Sequence, residues 1–275
     1  ARAGAGPRAG VARSPGRWAV SAAATPDDVL AGTARWCVVE GDALATLAAL
    51  LPQSLDAIIT DPPYASTGDA ASIMKTDDGA VSVPREMQFY EAWVREHLGA
   101  WKRVLKPTGA VWMTIDWRGA MCVDQATSRL GLRTPVVGVW NRGGLGMGHL
   151  LRKTYECFVV IPMAGFKRRR TDEPDVWSVP WTPANRDSEH AAQKPVDLLR
   201  RAVALITSPD DLIFDPFAGS GTTGCAAILD GRRFIGAERE GHFAAIARAR
   251  CAAAETGADW RAPASQPSLF AAVGS

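Results

Sequence analysis

Four consecutive residues, Asp61-Pro62-Pro63-Tyr64, combine a carboxylate, a rigid backbone and an aromatic ring. An amine attached to an aromatic base is a poor nucleophile because its lone pair is delocalised into the ring. A carboxylate oxygen of Asp61 and the carbonyl of Pro62 could accept the two amine hydrogens and free that lone pair. The prolines fix φ and bring no N–H that would repel an amine, and Tyr64 offers a face for stacking an extruded base. The motif therefore predicts amine activation, although such a turn could also simply end a strand.

A second motif, residues 215–224, places Gly219, Gly221 and Gly224 between a predicted strand and a predicted helix. Such a turn lets the backbone approach a ligand and aims a helix N-terminus at it. A bulky residue at Gly221 is expected to occupy the ligand's space. Glu238 ends the next predicted strand, where an acidic side chain would hold ribose hydroxyls. Glycine spacing alone fits a nicotinamide oxidoreductase equally well, but the Asp215-Pro216-Phe217 lead-in and the amine-handling motif in the same chain argue against one.

The elements that position these motifs alternate between strands and helices. Apolar runs predict strands at residues 36–40, 56–60, 110–115, 136–140, 155–161, 212–214 and 233–237. Amphipathic patterns predict helices at 43–51, 88–104, 118–130, 196–207, 222–229 and 241–255. Residues 65–85 are predicted as a loop and 106–109 as a turn. The alternation indicates an α/β fold with a mostly parallel sheet and helices on both faces.

In this order the motifs resemble the β class of DNA amino-methyltransferases, in which the catalytic motif precedes the cofactor motif and the product is N6-adenine or N4-cytosine methylation. The resemblance covers roughly residues 36–251. It rests on Glu40-Gly41-Asp42, Asp61-Pro62-Pro63-Tyr64, residues 104–109, Thr154-Tyr155-Glu156, Gln193-Lys194-Pro195, residues 215–223 and residues 235–238. It implies a Rossmann-like sheet of seven mostly parallel strands, in which residues 155–161 form one antiparallel strand paired with residues 136–140.

The resemblance also implies S-adenosyl-L-methionine as the methyl donor. Asp42 would contact the cofactor's adenine ring, Glu238 its ribose and Lys194 the carboxylate of its methionine end. The other expected cofactor residues lie in the glycine-rich turn: Asp215, Phe217, Ala218, Gly219, Ser220, Gly221 and Thr222.

Double-stranded DNA is the implied substrate, and the aspartate at the first motif position favours N6 of a flipped-out adenine. N4-cytosine methylation, for which serine is commoner there, remains the alternative. RNA and protein-amide methyltransferases usually begin the motif with asparagine and place it after the cofactor motif. A catalytically inactive DNA-binding module is a further alternative, against which the intact motifs argue.

The net charge of +2 does not by itself indicate nucleic acid. Local basic residues could nevertheless neutralise phosphates, with a solvated charge run as the alternative. The predicted DNA-contacting loops are residues 66–88, 141–153 and 164–190. Their candidate contacts are Lys75, Arg85, Arg142, Arg152, Lys153, Lys167, Arg168, Arg169 and Arg170, and Trp177 and Trp181 are candidates for base stacking.

Residues 1–33 are predicted as a disordered or weakly ordered arm, 34–256 as the catalytic domain and 257–275 as a flexible tail. The five cysteines and four histidines lack zinc-ligand spacing, so no metal is expected. No apolar run is long enough to span a bilayer. A cytoplasmic, nucleoid-associated protein of bacterial or phage origin is expected.

Two partners besides DNA are considered. The candidate recognition loops are short, which favours a homodimer whose subunits share the reading of the duplex. The tail segment Gln266-Pro267-Ser268-Leu269-Phe270 is similar to the peptides that dock on bacterial sliding clamps. Because five residues match easily, a chance match is the preferred interpretation.

Overall fold

The computed structural model describes residues 24–64, 74–76, 79–81, 87–146, 150–181 and 193–261. The strands in these ranges are β1 (Trp36–Glu40), β2 (Leu55–Thr60), β3 (Met74–Thr76), β4 (Gly79–Val81), β5 (Leu105–Ile115), β6 (Val136–Asn141), β7 (Tyr155–Pro162), β8 (Val176–Ser178), β9 (Leu212–Asp215) and β10 (Arg233–Glu238). The helices are α1 (Pro26–Ala31), α2 (Ala43–Ala49), α3 (Met87–Val104), α4 (Trp117–Arg129), α5 (Val196–Ile206), α6 (Thr222–Leu229) and α7 (Gly241–Thr256).

Eight strands form one sheet in the order β1-β10-β9-β2-β5-β7-β6-β8. Only β7 among these eight runs against the others, antiparallel to both β5 and β6. The predicted α/β fold, the antiparallel strand and its pairing with residues 136–140 are therefore confirmed. The predicted number of seven strands is wrong, because β8 extends the edge by pairing with Val139, Trp140 and Asn141 of β6.

Helices cover both faces of this sheet. Neighbouring residues of β2 point to opposite sides: Ile58 joins the core beneath α1 to α4, whereas Ala57 and Ile59 join the core beneath α5 to α7. Strand β9 is buried over its whole length. Burial on both faces explains why the central strands are continuous apolar runs rather than alternating ones.

The structured part of the chain is longer than predicted at both ends. Helix α1 lies inside the segment expected to be weakly ordered, and it begins with a capping box between Thr25 and Asp28. Its Val29 is fully buried in the core. Beyond α7, Trp260 is also buried, with the Arg250 guanidinium 5.7 Å from its ring centroid. Ordered residues are therefore found on both sides of the predicted domain limits at residues 34 and 256.

Two segments predicted to lack regular structure contain strands. The predicted loop at 65–85 includes the antiparallel pair β3 and β4. Residues 106–109, predicted as a turn, lie inside β5 where its register with β2 shifts: Leu105 pairs with Leu55, but Ala110 pairs with Ala57. Glycine is required at position 109 because a Cβ there would lie 2.6 Å from the carbonyl oxygen of Asp56.

No helix in the part of the chain that the structure describes is long and apolar enough to cross a membrane. The same residues contain no group of three or more His, Cys, Asp or Glu side chains that could hold a metal ion.

Candidate active site

Both sequence motifs lie at the edge of the sheet where the parallel strands end, here called the carboxyl edge. Thr60 is the last residue of β2 and Asp215 the last of β9, and these two strands are neighbours. The Thr60 hydroxyl donates a hydrogen bond of 2.6 Å to Oδ1 of Asp215. Asp61 and the glycine-rich turn therefore begin side by side, as ligands bound at the carboxyl ends of an open α/β sheet require.

The Asp61 carboxylate is held by donors from three parts of the chain. Its Oδ1 accepts hydrogen bonds from the hydroxyls of Thr114, in the neighbouring strand β5, and Tyr64, the latter at 2.8 Å. Its Oδ2 accepts a bond of 2.6 Å from the Lys194 ammonium. The side chain is 28% exposed, so one side of the carboxylate remains accessible.

The proline turn is fixed by two tyrosines. Tyr90, fully buried in α3, donates to the carbonyl oxygen of Pro63 at 2.8 Å. The hydroxyl of Tyr64 also lies 3.0 Å from Oε2 of Glu156. Burial raises the pKa of Tyr64, and the charges of Asp61 and Glu156 raise it further. Tyr64 is therefore a neutral phenol that orients the carboxylate.

Lys194 lies between two carboxylates. Its Nζ is 2.6 Å from Asp61 and 3.4 Å from Oε2 of Glu156, whose other oxygen accepts a 2.9 Å bond from Arg142. Burial acts to lower the Lys194 pKa, but Asp61 and Glu156 outweigh it and the pKa is raised. Burial acts to raise the Glu156 pKa, but Lys194 and Arg142 lower it. Two acidic and two basic side chains therefore contact one another at this point: Asp61, Glu156, Lys194 and Arg142. The predicted role of Lys194, binding a cofactor carboxylate, stays a prediction.

Asp215 is predicted to line the ligand pocket, and in the structure it accepts hydrogen bonds from the glycine-rich turn and from β2. It is 2% exposed, and its Oδ1 also accepts the Phe217 N–H at 3.0 Å. Burial raises its pKa to about 6, although hydrogen bonds from Thr223, Thr60 and Phe217 oppose this rise. Its carboxylate therefore shapes the glycine-rich turn and ties it to β2.

Glu238 and the backbone of Gly219 form the part of the turn that suits a nucleoside. Gly219 adopts φ +50°, and its N–H donates to Oε2 of Glu238 at 2.7 Å. Oε1 of Glu238 accepts the Glu240 N–H at 2.9 Å. Because a carboxylate has four lone pairs, this one can still accept a hydrogen bond from a ribose hydroxyl.

The neighbouring surface fits an adenine ring. The half-buried ring of Phe217 lies 5.7 Å, centroid to centroid, from both Trp93 and His97 of α3. The Gly41 N–H donates to the Glu238 backbone carbonyl at 2.8 Å, which brings exposed Asp42 to the same end of the sheet. Asp42 also caps α2 through the Ala45 N–H. The aromatic face could stack on an adenine ring, and the two carboxylates could accept hydrogen bonds from an adenosine group.

Four other predicted cofactor residues, Ala218, Ser220, Gly221 and Thr222, are buried. Ser220 and Thr222 are engaged by the guanidinium of Arg250. A Cβ at Gly221, where φ is +81°, would lie 2.8 Å from Cα of Ala247 in α7. The expectation that a side chain at Gly221 would enter the ligand's space is therefore wrong: it would collide with a helix.

The predicted DNA contacts are divided between the two edges of the sheet. Arg142, Arg152 and Lys153 lie in the connection from β6 to β7, at the carboxyl edge. Because β7 is antiparallel, the chain leaves it at the opposite edge, where Lys167, Arg168, Arg169 and Arg170 lie. Arg169 is bonded there to the Ile206 carbonyl and Asp211, and Arg170 to Asp172 and Glu173. That these four residues contact DNA stays a prediction, and the structure places them at the edge of the sheet opposite Asp61.

The remaining predicted DNA contacts are two basic residues and two tryptophans. Lys75 belongs to β3, whereas its side chain and Arg85 lie outside the described residues. Trp177 is 1% exposed and packs 4.4 Å from Phe158, so the base-stacking hypothesis for it is wrong. Trp181 is half-buried at the carboxyl edge, where its backbone N–H donates to the Arg142 carbonyl.

Sequence reasoning missed several residues of this site. Thr114, Tyr90 and Arg250 carry no local signal, because their partners are distant in the sequence. Glu156 was noted only as part of a motif, without a role. Trp117, the first residue of α4, lies two positions beyond the end of β5 at the carboxyl edge and is 54% exposed. The Arg118 guanidinium lies 5.2 Å from its ring centroid.

A mostly parallel sheet in which neighbouring strands end at Asp61 and at a glycine-rich turn is the arrangement expected of a Rossmann-like methyltransferase. A family model described as DNA methylase, for N6 and N4 methyltransferases, matches residues 55–249. The chain belongs to this family of DNA methylases. The predicted class, DNA amino-methyltransferases that use S-adenosyl-L-methionine, is thereby confirmed.

Known relatives agree with this assignment over most of their length. DNA adenine methyltransferase YhdJ of Escherichia coli K12 is 28% identical over 73% of this chain and 77% of its own. Type II methyltransferase M2.DpnII of Streptococcus pneumoniae is 30% identical over 78% and 88%, respectively. The crystal structure of the M1.HpyAVI–SAM complex shares the fold, with a TM-score of 0.59 at 21% identity over 78% of this chain and 99% of that one.

Proposed function

We propose that this protein transfers the methyl group of S-adenosyl-L-methionine to N6 of an adenine that is flipped out of double-stranded DNA. One observation carries the proposal: Asp61 and the turn at Phe217 to Gly219 follow adjacent strands that the Thr60–Asp215 hydrogen bond joins. A base held at Asp61 would therefore lie next to a nucleoside held at Glu238.

The chain's own residues account for activation of the amine. Asp61 accepts one amine hydrogen, and the Pro62 carbonyl is the proposed second acceptor, since Tyr90 already uses the carbonyl of Pro63. Thr114 and Tyr64 hold Oδ1 of Asp61 and so fix the carboxylate plane. Because an amine that has gained a methyl group releases its proton readily, no general base with a raised pKa is required.

The cofactor would be held by Glu238 at its ribose and by Phe217 and Asp42 at its adenine. When bound, it supplies a methyl carbon activated by a neighbouring sulfonium. Binding of the cofactor's carboxylate by Lys194 stays a prediction, because the ammonium is paired with Asp61 and Glu156.

Adenine is favoured over cytosine by the aspartate at position 61 and by the similarity to YhdJ, whose name gives adenine as its base. N4-cytosine methylation is the second candidate, because the same acceptor pair would activate the cytosine amine. RNA, protein-amide and nicotinamide chemistry have no supporting observation at this site.

DNA is proposed to approach the carboxyl edge. The exposed residues there include Arg152, Lys153 and Trp117, which could contact phosphates and bases. The domain limits, a homodimer, a nucleoid location and a sliding-clamp contact through residues 266–270 stay predictions, and the last segment lies outside the described residues.

The test is product analysis. Incubation of the protein with unmethylated bacterial DNA and methyl-labelled cofactor, followed by nucleoside analysis, should give labelled N6-methyladenine. D61N should abolish transfer but bind the cofactor with wild-type affinity in calorimetry. Labelled N4-methylcytosine would support the second candidate instead, and transfer by D61N near the wild-type rate would contradict the assigned site.

A further inference from the structure

The Asp61 oxygen that should accept a hydrogen of the target amine already accepts a hydrogen bond from Lys194. A carboxylate oxygen has two lone pairs, and those of Oδ1 are used by Thr114 and Tyr64. Oδ2 is therefore the oxygen through which Asp61 can accept an amine hydrogen. The Lys194 ammonium lies 2.6 Å from this oxygen and takes one of its two lone pairs, so its positive charge weakens Oδ2 as an acceptor and competes with the amine.

Glu156 offers this ammonium a second position. Its Oε2 lies 3.4 Å from Nζ of Lys194, so a small rotation of the lysine side chain would bring the two to the usual charged hydrogen-bond length of about 2.8 Å. Glu156 is itself held by the Arg142 guanidinium, which donates to its other carboxylate oxygen at 2.9 Å. It could therefore receive the ammonium without moving.

Burial makes this second position necessary. The Lys194 side chain is 9% exposed and that of Glu156 is 18% exposed. An ammonium that left Asp61 with no other carboxylate nearby would remain buried and unpaired, which is strongly unfavourable. With Glu156 present, the ammonium is paired in either position. Asp61 can therefore lose its hydrogen bond from Lys194 and accept one from the target amine.

We propose that Glu156 is a positioning residue that takes the Lys194 ammonium from Asp61 when the target base enters. This frees Oδ2 for the amine hydrogen, whereas Lys194 and Asp61 remain paired in the absence of DNA. The inference rests on the proposed function, because it assumes that Asp61 accepts a hydrogen of the base amine.

Glu156 also contacts Tyr64, so a purely structural role must be distinguished. If Glu156 only holds the tyrosine, its loss should resemble loss of the Tyr64 hydroxyl and should not depend on Lys194. If Glu156 receives the ammonium, the rate lost in a Glu156 variant should be partly restored when Lys194 is also replaced.

The experiment measures the rate of methyl transfer over a range of cofactor concentrations at saturating DNA for the wild type, E156Q, K194Q, E156Q/K194Q and Y64F. E156Q should lower kcat at least tenfold with an unchanged cofactor KM, because Lys194 stays on Asp61. The double variant should turn over faster than E156Q, since no ammonium then competes for Oδ2. E173Q is the matched control: Glu173 also lies between two cations, Arg170 and Arg201, but away from the carboxyl edge.

A double variant as slow as E156Q, or an E156Q enzyme as fast as the wild type, would overturn the inference. No transfer by the wild type would instead overturn the proposed function. If E156Q does not fold, a crystal structure of the wild type with duplex DNA and S-adenosylhomocysteine decides the question. It should place Lys194 Nζ within hydrogen-bond distance of Glu156 and beyond it from Asp61, and an intact Lys194–Asp61 pair beside a bound base would contradict the inference.

Discussion

Thr60 and Asp215 are joined by a 2.6 Å hydrogen bond between the ends of neighbouring strands. Each of these residues is directly connected to one of the two motifs: Thr60 precedes Asp61, and Asp215 begins the glycine-rich turn. Both are buried. The bond therefore sets the separation between Asp61 and the glycine-rich turn.

Replacing Thr60 with valine should weaken this junction without changing the side-chain volume appreciably. Losing the donor leaves a buried carboxylate with one partner fewer, which should lower the free energy of unfolding by about 1–3 kcal/mol. Methyl transfer should fall as well, since the two motifs lose their common anchor. Urea denaturation and single-turnover transfer check the two effects.

T127V is the control for Thr60. Thr127 is also buried, but its hydroxyl donates to the Asp124 carbonyl within α4. If T127V impairs transfer as much as T60V does, the bond between the strands has no special role.

A second prediction concerns Gly221. G221A should destabilise the protein in the absence of cofactor, because the added Cβ would meet the backbone of Ala247 and φ is +81°. The strain of left-handed backbone costs about 1–2 kcal/mol, and the collision with α7 should add roughly 1–3 kcal/mol. Thermal and urea denaturation of the cofactor-free protein measure the loss.

G257A separates these two contributions. Gly257 has a similar φ of +78°, but a Cβ there would meet nothing within 4 Å. Equal stability of the two variants, combined with a loss of cofactor affinity in G221A alone, would restore the view that Gly221 makes room for the ligand.

The third prediction compares the two edges of the sheet. R152E/K153E should weaken DNA binding about tenfold or more, because phosphate neutralisation dominates affinity. K167E/R168E changes the net charge equally at the opposite edge and should have little effect. Fluorescence anisotropy at several salt concentrations measures both affinities, and comparable losses in the two variants would show that DNA contacts the opposite edge.

The fourth prediction concerns pH. The Asp215 pKa is raised from 3.8 to about 6 by burial. Because the folded state holds this proton more tightly than the unfolded state, stability should fall as pH rises from about 4 to about 6. Two pKa units correspond to about 3 kcal/mol. The stability of D215N relative to the wild type should rise by up to this amount between pH 4 and pH 8.

Urea denaturation of the cofactor-free protein across this range tests the sign. The asparagine of D215N cannot ionise, but its side-chain oxygen can still accept a hydrogen bond from the Thr60 hydroxyl. A difference between D215N and the wild type that stays constant or shrinks with rising pH would show that the Asp215 pKa is not raised.

The sequence predicted the sheet and the two motifs well, because each depends on local patterns. Helix α6 has the predicted bounds, 222–229, and the strand ending at Thr60 runs into Asp61 as expected. Short apolar runs buried on both faces and glycine-rich turns can be recognised without knowledge of the fold. The predicted antiparallel strand came from the resemblance rather than from the residues alone.

What the sequence could not provide were contacts between distant segments. Lys194 and Asp61 are separated by 133 positions, and neither side chain indicates that they form an ion pair. Likewise, the run from Lys167 to Arg170 is basic wherever it lies. Only the direction of β7 places it opposite Asp61, and only folding brings α7 against Gly221.

The direction of β7 has a practical consequence. The strand sends one of its connections toward the substrate and the other, residues 163–175, to the far end of the molecule. A fluorescent label or an affinity handle joined near exposed Lys167 would not stand between Asp61 and an approaching duplex. This connection is therefore a suitable point for immobilising the enzyme on a surface while the carboxyl edge stays accessible to DNA.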